Sequence, residues 1–279
     1  MKRNIVIGPP GTGKTTFLKN KVDTLITSGH CRADEIGYFS FTVKAAEEIR
    51  DRVTKEEWSE AELKKMFPYF CTLHSLAYKR LQLQQSQIMD QSDYDDLSRD
   101  TGRYFVNKMK KGNGMDISMP TAKSEYQDLI NLAYAKFPDD EDRLNQVFRT
   151  IKLSDYGARN MIEQMDVDLK NFKRDRDKLE YVDYFNHFLK RKNPPPLKYL
   201  FVDEAQDLSA HQWQVINMIQ EIAKPIETYV AGDDDQAIFR WAGADIEHFI
   251  DMAQDKNNTI IPLTQSYRIP RSVHTLATN

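Results

Sequence analysis

Three groups of residues in this chain could act on a polyphosphate. The first is Gly8-Pro9-Pro10-Gly11-Thr12-Gly13-Lys14-Thr15. Its glycines let the backbone curl so that successive N–H groups point at anionic oxygens. Lys14 adds a positive charge within reach of β- and γ-phosphates, and the Thr15 hydroxyl is a ligand type suited to Mg²⁺. The second group is Asp203-Glu204-Ala205-Gln206-Asp207. Asp203 can hold the metal through water, while Glu204 can orient or deprotonate an attacking water. The third runs Gly232-Asp233-Asp234-Asp235-Gln236-Ala237-Ile238-Phe239-Arg240-Trp241-Ala242-Gly243-Ala244. Gln236 can hydrogen-bond a γ-phosphate or the lytic water. Trp241 is a candidate platform for a nucleobase, whereas Phe239 reads equally as core packing or as a functional ring. Combined, the first two groups describe hydrolysis of a nucleoside triphosphate rather than its storage.

Such groups need a scaffold that brings loop ends together. Short apolar runs at 5–7, 36–41, 69–73, 199–202, 229–231 and 259–263 read as strands, most of them leading into a helical pattern. After the first, Leu18, Val22, Leu25 and Ile26 share one helix face; after the second, Ala45, Ala46, Ile49 and Val53 do. A further helix is predicted from about His74. Ser209 and Gln212 are spaced as a capping box ahead of Trp213, Ile216 and Ile219. Apolar runs that are continuous rather than alternating imply strands covered on both faces, hence a parallel sheet between helices. Ligands of such sheets sit at the carboxyl ends of the strands.

The middle, 82–178, is polar and helical in spacing and reads as an inserted, mostly helical subdomain. Lys110-Lys111-Gly112-Asn113-Gly114 reads as an exposed basic turn within it, and 171–178, of mixed sign, as a solvated helix face. Asn193-Pro194-Pro195-Pro196 is a stiff, non-helical connector into the next strand.

The totals bound the class. A chain of 279 residues suggests about two domains; 40% apolar residues supply sizeable cores and 29% charged residues favour solubility. A net charge of −3 offers no global attraction for nucleic acid, so such binding must be local. Cys31 and Cys71 are too few for a disulfide framework and read as buried thiols. The apolar start is cut short by Gly8-Pro9-Pro10, and no membrane-length run follows. The expectation is a soluble cytoplasmic protein with no membrane partner.

Taken in order, segments 8–15, 40–46, 72–75, 203–207, 232–244 and 265–268 resemble the motifs of UvrD/Rep/PcrA-like superfamily 1 DNA helicases. The resemblance spans nearly the whole chain and implies an α/β fold: a RecA-like parallel sheet flanked by helices, a P-loop NTPase, with the mostly helical insertion. It implies a first motor domain over 1–81 and 179–262, the insertion over 82–178, and the start of a second motor domain over 263–279. ATP and Mg²⁺ are the implied cofactors. Gly8, Pro9, Pro10, Gly11, Thr12, Gly13, Lys14, Thr15 and Thr16 would line the nucleotide, with Thr15 and Asp203 on the metal and Glu204 activating water. Gln236 matches the γ-phosphate sensor, Tyr267 an aromatic stacked on adenine, and Arg268 an arginine reaching the γ-phosphate. For single-stranded DNA or single/double-strand junctions, Phe41, Thr42, Thr72, His74 and Trp241 match contact positions, while Lys44 is left unassigned.

The implied activity is ATP-driven movement on single-stranded DNA, 3′ to 5′. The rival expectation is an ATP-gated single-strand-binding module without unwinding; a P-loop kinase would not need segments 203–207 and 232–244. There are departures from the family pattern. An upstream adenine-contacting glutamine is not expected, Pro9-Pro10 is closer to other superfamily branches, and Ala242 stands where many relatives have arginine. No later motifs follow Arg268, so these residues alone are expected to be a weak ATPase without robust unwinding.

Overall fold

The computed structural model describes residues 2–40, 46–47, 58–107, 125–233, 235 and 243–267, together with the backbone of 109–110 and 114–115. Eight strands are described: β1 (Lys2–Ile7), β2 (Ile36–Phe39), β3 (Phe70–Cys71), β4 (Met109–Lys110), β5 (Gly114–Met115), β6 (Tyr199–Val202), β7 (Glu227–Gly232) and β8 (Thr259–Pro262). The α-helices are α1 (Lys14–Thr27), α2 (Glu60–Met66), α3 (Leu73–Leu81), α4 (Gln91–Thr101), α5 (Glu125–Lys136), α6 (Arg143–Thr150), α7 (Tyr156–Asp175), α8 (Tyr181–Arg191), α9 (Ala210–Ala223) and α10 (Ile246–Gln254).

Six strands form one parallel sheet in the order β3-β2-β6-β7-β1-β8. Each expected run lies on one of them. β3 is shorter than its run suggested, because Thr72 already caps α3; β2 ends at Phe39, and Phe41 lies outside the described residues. Within the continuous apolar runs the pleat still sorts side chains. Val6, Tyr38, Phe201 and Tyr229 face α1 and α2, while Ile5, Phe39, Val202 and Val230 face α3, α8, α9 and α10. Both faces are therefore covered, as a parallel sheet requires.

Local signals act as expected at several ends. Ser209 accepts from the Gln212 N–H and closes the capping box of α9, an arrangement worth about 1 kcal/mol. Cys31 and Cys71 are buried free thiols, and burial pushes the Cys71 thiol up to about 11. No helix among the described residues is long and apolar enough to cross a membrane.

A separate apolar core joins α4, α5, α6 and α7 around Leu97, Ile130, Phe148, Ile162 and Leu169. Lys110 and Gly114, the ends of the basic turn expected at 110–114, pair in the two-stranded antiparallel β4–β5, a small exception to the helical character of this region, and 111–113 lie outside the described residues. Segment 171–178 is not simply a solvated face. Lys173 bridges Glu180 at 3.1 Å and Asp183 at 2.8 Å, and Lys178 pairs with Asp93 at 2.8 Å. Burial works against the Lys173 charge, but the two carboxylates outweigh it and hold the ammonium above its ordinary pKa. The cause is tertiary: the end of α7 meets the start of α8, whose first turn carries those acids. The exposed side chains Arg174 and Asp175 behave as read from sequence.

Candidate functional site

The carboxyl ends of the adjacent strands β6, β7 and β1 converge on one place. From β1 the chain enters the glycine-rich loop and then α1. Gly13 caps α1 at φ 84°, a left-handed conformation in which a side chain would be strained. Gly8 is needed for a different reason: a Cβ there would lie 2.4 Å from the Leu263 carbonyl oxygen. The Thr12 hydroxyl donates to the Pro9 carbonyl at 2.9 Å and tightens the turn. Lys14 is 8% exposed; its ammonium donates to the carbonyls of Gly8 at 2.6 Å and Pro9 at 3.3 Å. The Asp233 carboxylate, just beyond β7, lies 3.8 Å from it.

Asp203 follows β6 and is 2% exposed. Its Oδ2 accepts from the Thr15 hydroxyl at 2.9 Å and from the Tyr38 phenol at 2.7 Å, and its Oδ1 from the Glu204 N–H at 3.1 Å. Burial, and then the neighbouring Glu204 charge, raise its pKa above the ordinary value, and these three donors offset only part of the rise. Glu204 takes a left-handed backbone at φ 54°, which costs a non-glycine residue about 1 kcal/mol or more. The Gln206 amide ties the pieces together. Its Nε2 donates to Glu204 Oε2 at 2.8 Å, and its Oε1 accepts from the Asp233 N–H at 3.1 Å. Beside them, burial and then the Glu204 charge push the Asp207 carboxyl up to about 7.

The donor set suits a magnesium–triphosphate pair. A glycine-rich loop at a helix N-terminus, with a buried lysine, is chemistry that matches anionic oxygens. No group of three or more His, Cys, Asp or Glu that could hold a metal occurs among the described residues. A divalent ion here would rest on the Thr15 hydroxyl, the Asp203 carboxylate, phosphate oxygens and water, which is the oxygen-rich, water-keeping sphere of Mg²⁺.

Segment 263–267 lies against the same loop. Leu263 N–H donates to Ile7 O at 2.7 Å, Ser266 Oγ to Pro10 O at 2.8 Å and Tyr267 N–H to Gly11 O at 2.8 Å. Tyr267 is 77% exposed beside the loop. Thr16 is exposed on the first turn of α1.

A family model described as the UvrD/REP helicase N-terminal domain matches residues 1–257. The chain belongs to this family. It is similar to the ATP-dependent DNA helicase PcrA of Staphylococcus aureus, 25% identical over 96% of this chain and 36% of the relative. It is also similar to a probable DNA helicase II homolog of Mycoplasma genitalium, 26% identical over 96% of this chain and 37% of that protein. A third relative is DNA helicase II of Haemophilus influenzae, at 25% over 95% and 36%. The chain thus spans little more than a third of the length of these relatives.

The residues expected to touch DNA are distributed differently. Phe41, Thr42 and Trp241 lie outside the described residues, as do Gln236 and Arg268 of the nucleotide set. Thr72 is buried; its hydroxyl accepts from the Ser75 N–H at 3.2 Å and donates to Ser75 Oγ at 3.0 Å. The His74 ring stacks on Tyr181 at 4.0 Å and on Phe185 at 4.1 Å between centroids. Burial, with His211 nearby, lowers the His74 pKa to about 3, so the imidazole is neutral.

Sequence reading missed Tyr38, Gln206 and Asp233 as members of the site. Asp233 carried the same signal that picked out Asp203, a carboxylate directly after a buried strand. Gln206 lay inside a recognised segment, but its bridging role depends on β7. Tyr38 carried no signal, since an aromatic in a buried strand reads as core.

Proposed function

We propose that this chain is the nucleotide-binding motor lobe of an ATP-dependent DNA helicase or translocase. The observation that carries the proposal is the 2.9 Å bond from Thr15 to Asp203, which joins the phosphate loop to an acidic turn 188 residues away. Lys14 and the loop amides would hold the β- and γ-phosphates. Thr15 and Asp203 would hold Mg²⁺, which when bound neutralises charge on the phosphates. Glu204, fixed by Gln206, would orient and deprotonate water. Gln236 and Arg268 would sense the γ-phosphate, and the exposed ring of Tyr267 would stack on the base.

Single-stranded DNA, alone or at a junction, would cross segment 41–42, Thr72, His74 and Trp241. Thr72 would offer its backbone and His74 its free edge, because the hydroxyl and the ring faces are engaged within the protein. The proposed division is a motor lobe over 1–81 and 179–262, an insertion over 82–178 and the start of a second lobe over 263–279. The separate apolar core of α4 to α7 supports the insertion. Movement would run in the 3′-to-5′ sense, a reading supported by the resemblance to UvrD/Rep/PcrA-like helicases alone.

Measuring ATP turnover with and without single-stranded DNA, for wild type and Trp241→Ala, tests the reading. DNA should stimulate wild type, and Trp241→Ala should lose about 1–3 kcal/mol of that coupling. Turnover indifferent to DNA in both would remove the nucleic-acid half of the proposal.

A further inference from the structure

We infer that the Tyr38 phenol is a positioning residue for Asp203, holding the carboxylate in the orientation that presents it beside the Thr15 hydroxyl. This rests on the nucleotide reading above and adds a residue to it. Tyr38 sits on β2 opposite Phe201 of β6, and Asp203 lies two residues beyond Phe201, just past the end of the strand. Two residues along a strand span about 6.6 Å, the distance a phenol bridges from backbone to hydroxyl. A serine or threonine at this place would stop short, and a phenylalanine would bring no donor.

The phenol is also the least movable side-chain donor to that carboxylate. Its ring is entirely buried, stacked on Phe70 at 5.6 Å and on Phe201 at 6.1 Å. Phe201 continues the stack onto Tyr229 at 5.0 Å with planes 6° apart. The ladder thus crosses four adjacent strands, β3, β2, β6 and β7, and from its interior rung on β2 the Tyr38 phenol donates a hydrogen bond of 2.7 Å to Asp203 Oδ2. Thr15 donates to the same oxygen from the first turn of α1, a helix fed by a glycine-rich loop. With Tyr38 in place, Oδ2 is pinned from inside the sheet while Thr15 and the loop adjust to a nucleotide. Partners of this kind, behind a metal ligand, typically change metal affinity by about 10–100-fold when removed.

Tyr38→Phe keeps the ring and its stacks and deletes only the hydroxyl. The test is a Mg²⁺ titration of binding to a ribose-labelled fluorescent ATP, read by anisotropy, with a parallel arm in EDTA and a melting curve without nucleotide. Tyr38→Phe should melt close to wild type and bind the probe in EDTA as wild type does. It should need about tenfold more Mg²⁺, or beyond, to reach half of the metal-dependent binding. In an Asp203→Asn background the same substitution should change nothing further. Phe70→Leu, which loosens the stack but keeps the hydroxyl, should lower the melting temperature without an equal shift in the Mg²⁺ midpoint.

An unchanged Mg²⁺ midpoint in folded Tyr38→Phe overturns the inference, as does an equal loss of binding in EDTA or a collapse of the fold, since the hydroxyl would then serve stability alone. If wild type binds the probe neither with Mg²⁺ nor in EDTA, the nucleotide reading falls and this inference falls with it.

Discussion

The turns after β1, β6 and β7 and the turn after β3 all lie at carboxyl ends of one sheet, yet they use polar side chains in opposite ways. In the first region Lys14, Thr15, Asp203 and Asp233 come from three separate stretches and point at each other across one loop. In the second, Thr72 spends its hydroxyl on the cap of α3, and His74 is clamped between Tyr181 and Phe185 of α8. The lesson is that position at a strand end makes a site possible, and the element packed over it decides what remains to act. α8 covers the turn after β3. The segment over the phosphate loop, 263–267, approaches largely through backbone and leaves the Tyr267 ring outside.

The sharpest way to break the comparison is Glu204→Gln. Turnover of ATP should fall by about 10²-fold or more, as loss of a general base predicts, while binding of labelled ATP stays at the wild-type level. Retained turnover would mean that the acidic turn only caps the following helix.

The second prediction concerns acid. His74 is held near 3 and His211 near 4, both chiefly by burial. Their folded-state pKa values lie below the ordinary 6.5, so their stabilisation is full above that value and is lost as pH falls. Each imidazole should cost about 1.4 kcal/mol per pH unit between pH 6.5 and about 4. Urea unfolding at pH 7 and pH 5 should show this loss, and a His74→Phe, His211→Phe double variant should flatten it. An unflattened profile would place those rings in water and return His74 to the set of freely available contact residues.

Asp207 should behave in the opposite sense. A carboxyl raised to about 7 favours the fold when protonated, so its contribution is full below the ordinary value near 3.8 and is lost as pH rises towards 7. Asp207→Asn should therefore be more stable than wild type at pH 8, by about 1 kcal/mol after allowance for partial solvent screening. The same urea curves, repeated at pH 5 and pH 8, check it.

An effect of similar size is expected at Thr72. Thr72→Ala removes the cap of α3 and should cost about 1 kcal/mol in urea unfolding, with nucleotide binding unchanged. A larger effect on DNA stimulation than on stability would show that the hydroxyl leaves its cap when DNA is present.

Much of the arrangement was legible beforehand. The run 199–202 is the strand observed, and the Ser209–Gln212 box starts α9 where its spacing says. The loop at 8–15 joins a strand to a helix. Three residues resisted reading. Lys173 sat in a run of alternating charge that ordinarily faces water, and only the acids of α8 draw it inward. His74 looked available because its aromatic neighbours are more than a hundred residues away in the chain. Tyr38 was hidden by its type, since a buried strand uses tyrosine and phenylalanine alike until an acceptor is placed at the hydroxyl.

By itself the sequence determined which stretches become strands, loops and helices and which of them can hold phosphate, because periodicity, glycine freedom and capping act over a few residues. It could not determine that β6 and β7 lie between β2 and β1. Short apolar runs buried on both faces are nearly interchangeable as sheet neighbours. Only the packed order β3-β2-β6-β7-β1-β8 brings Asp203 to Thr15, Asp233 to Lys14 and the Tyr38 hydroxyl to Asp203. Those contacts exist because side chains far apart in the chain share one end of one sheet.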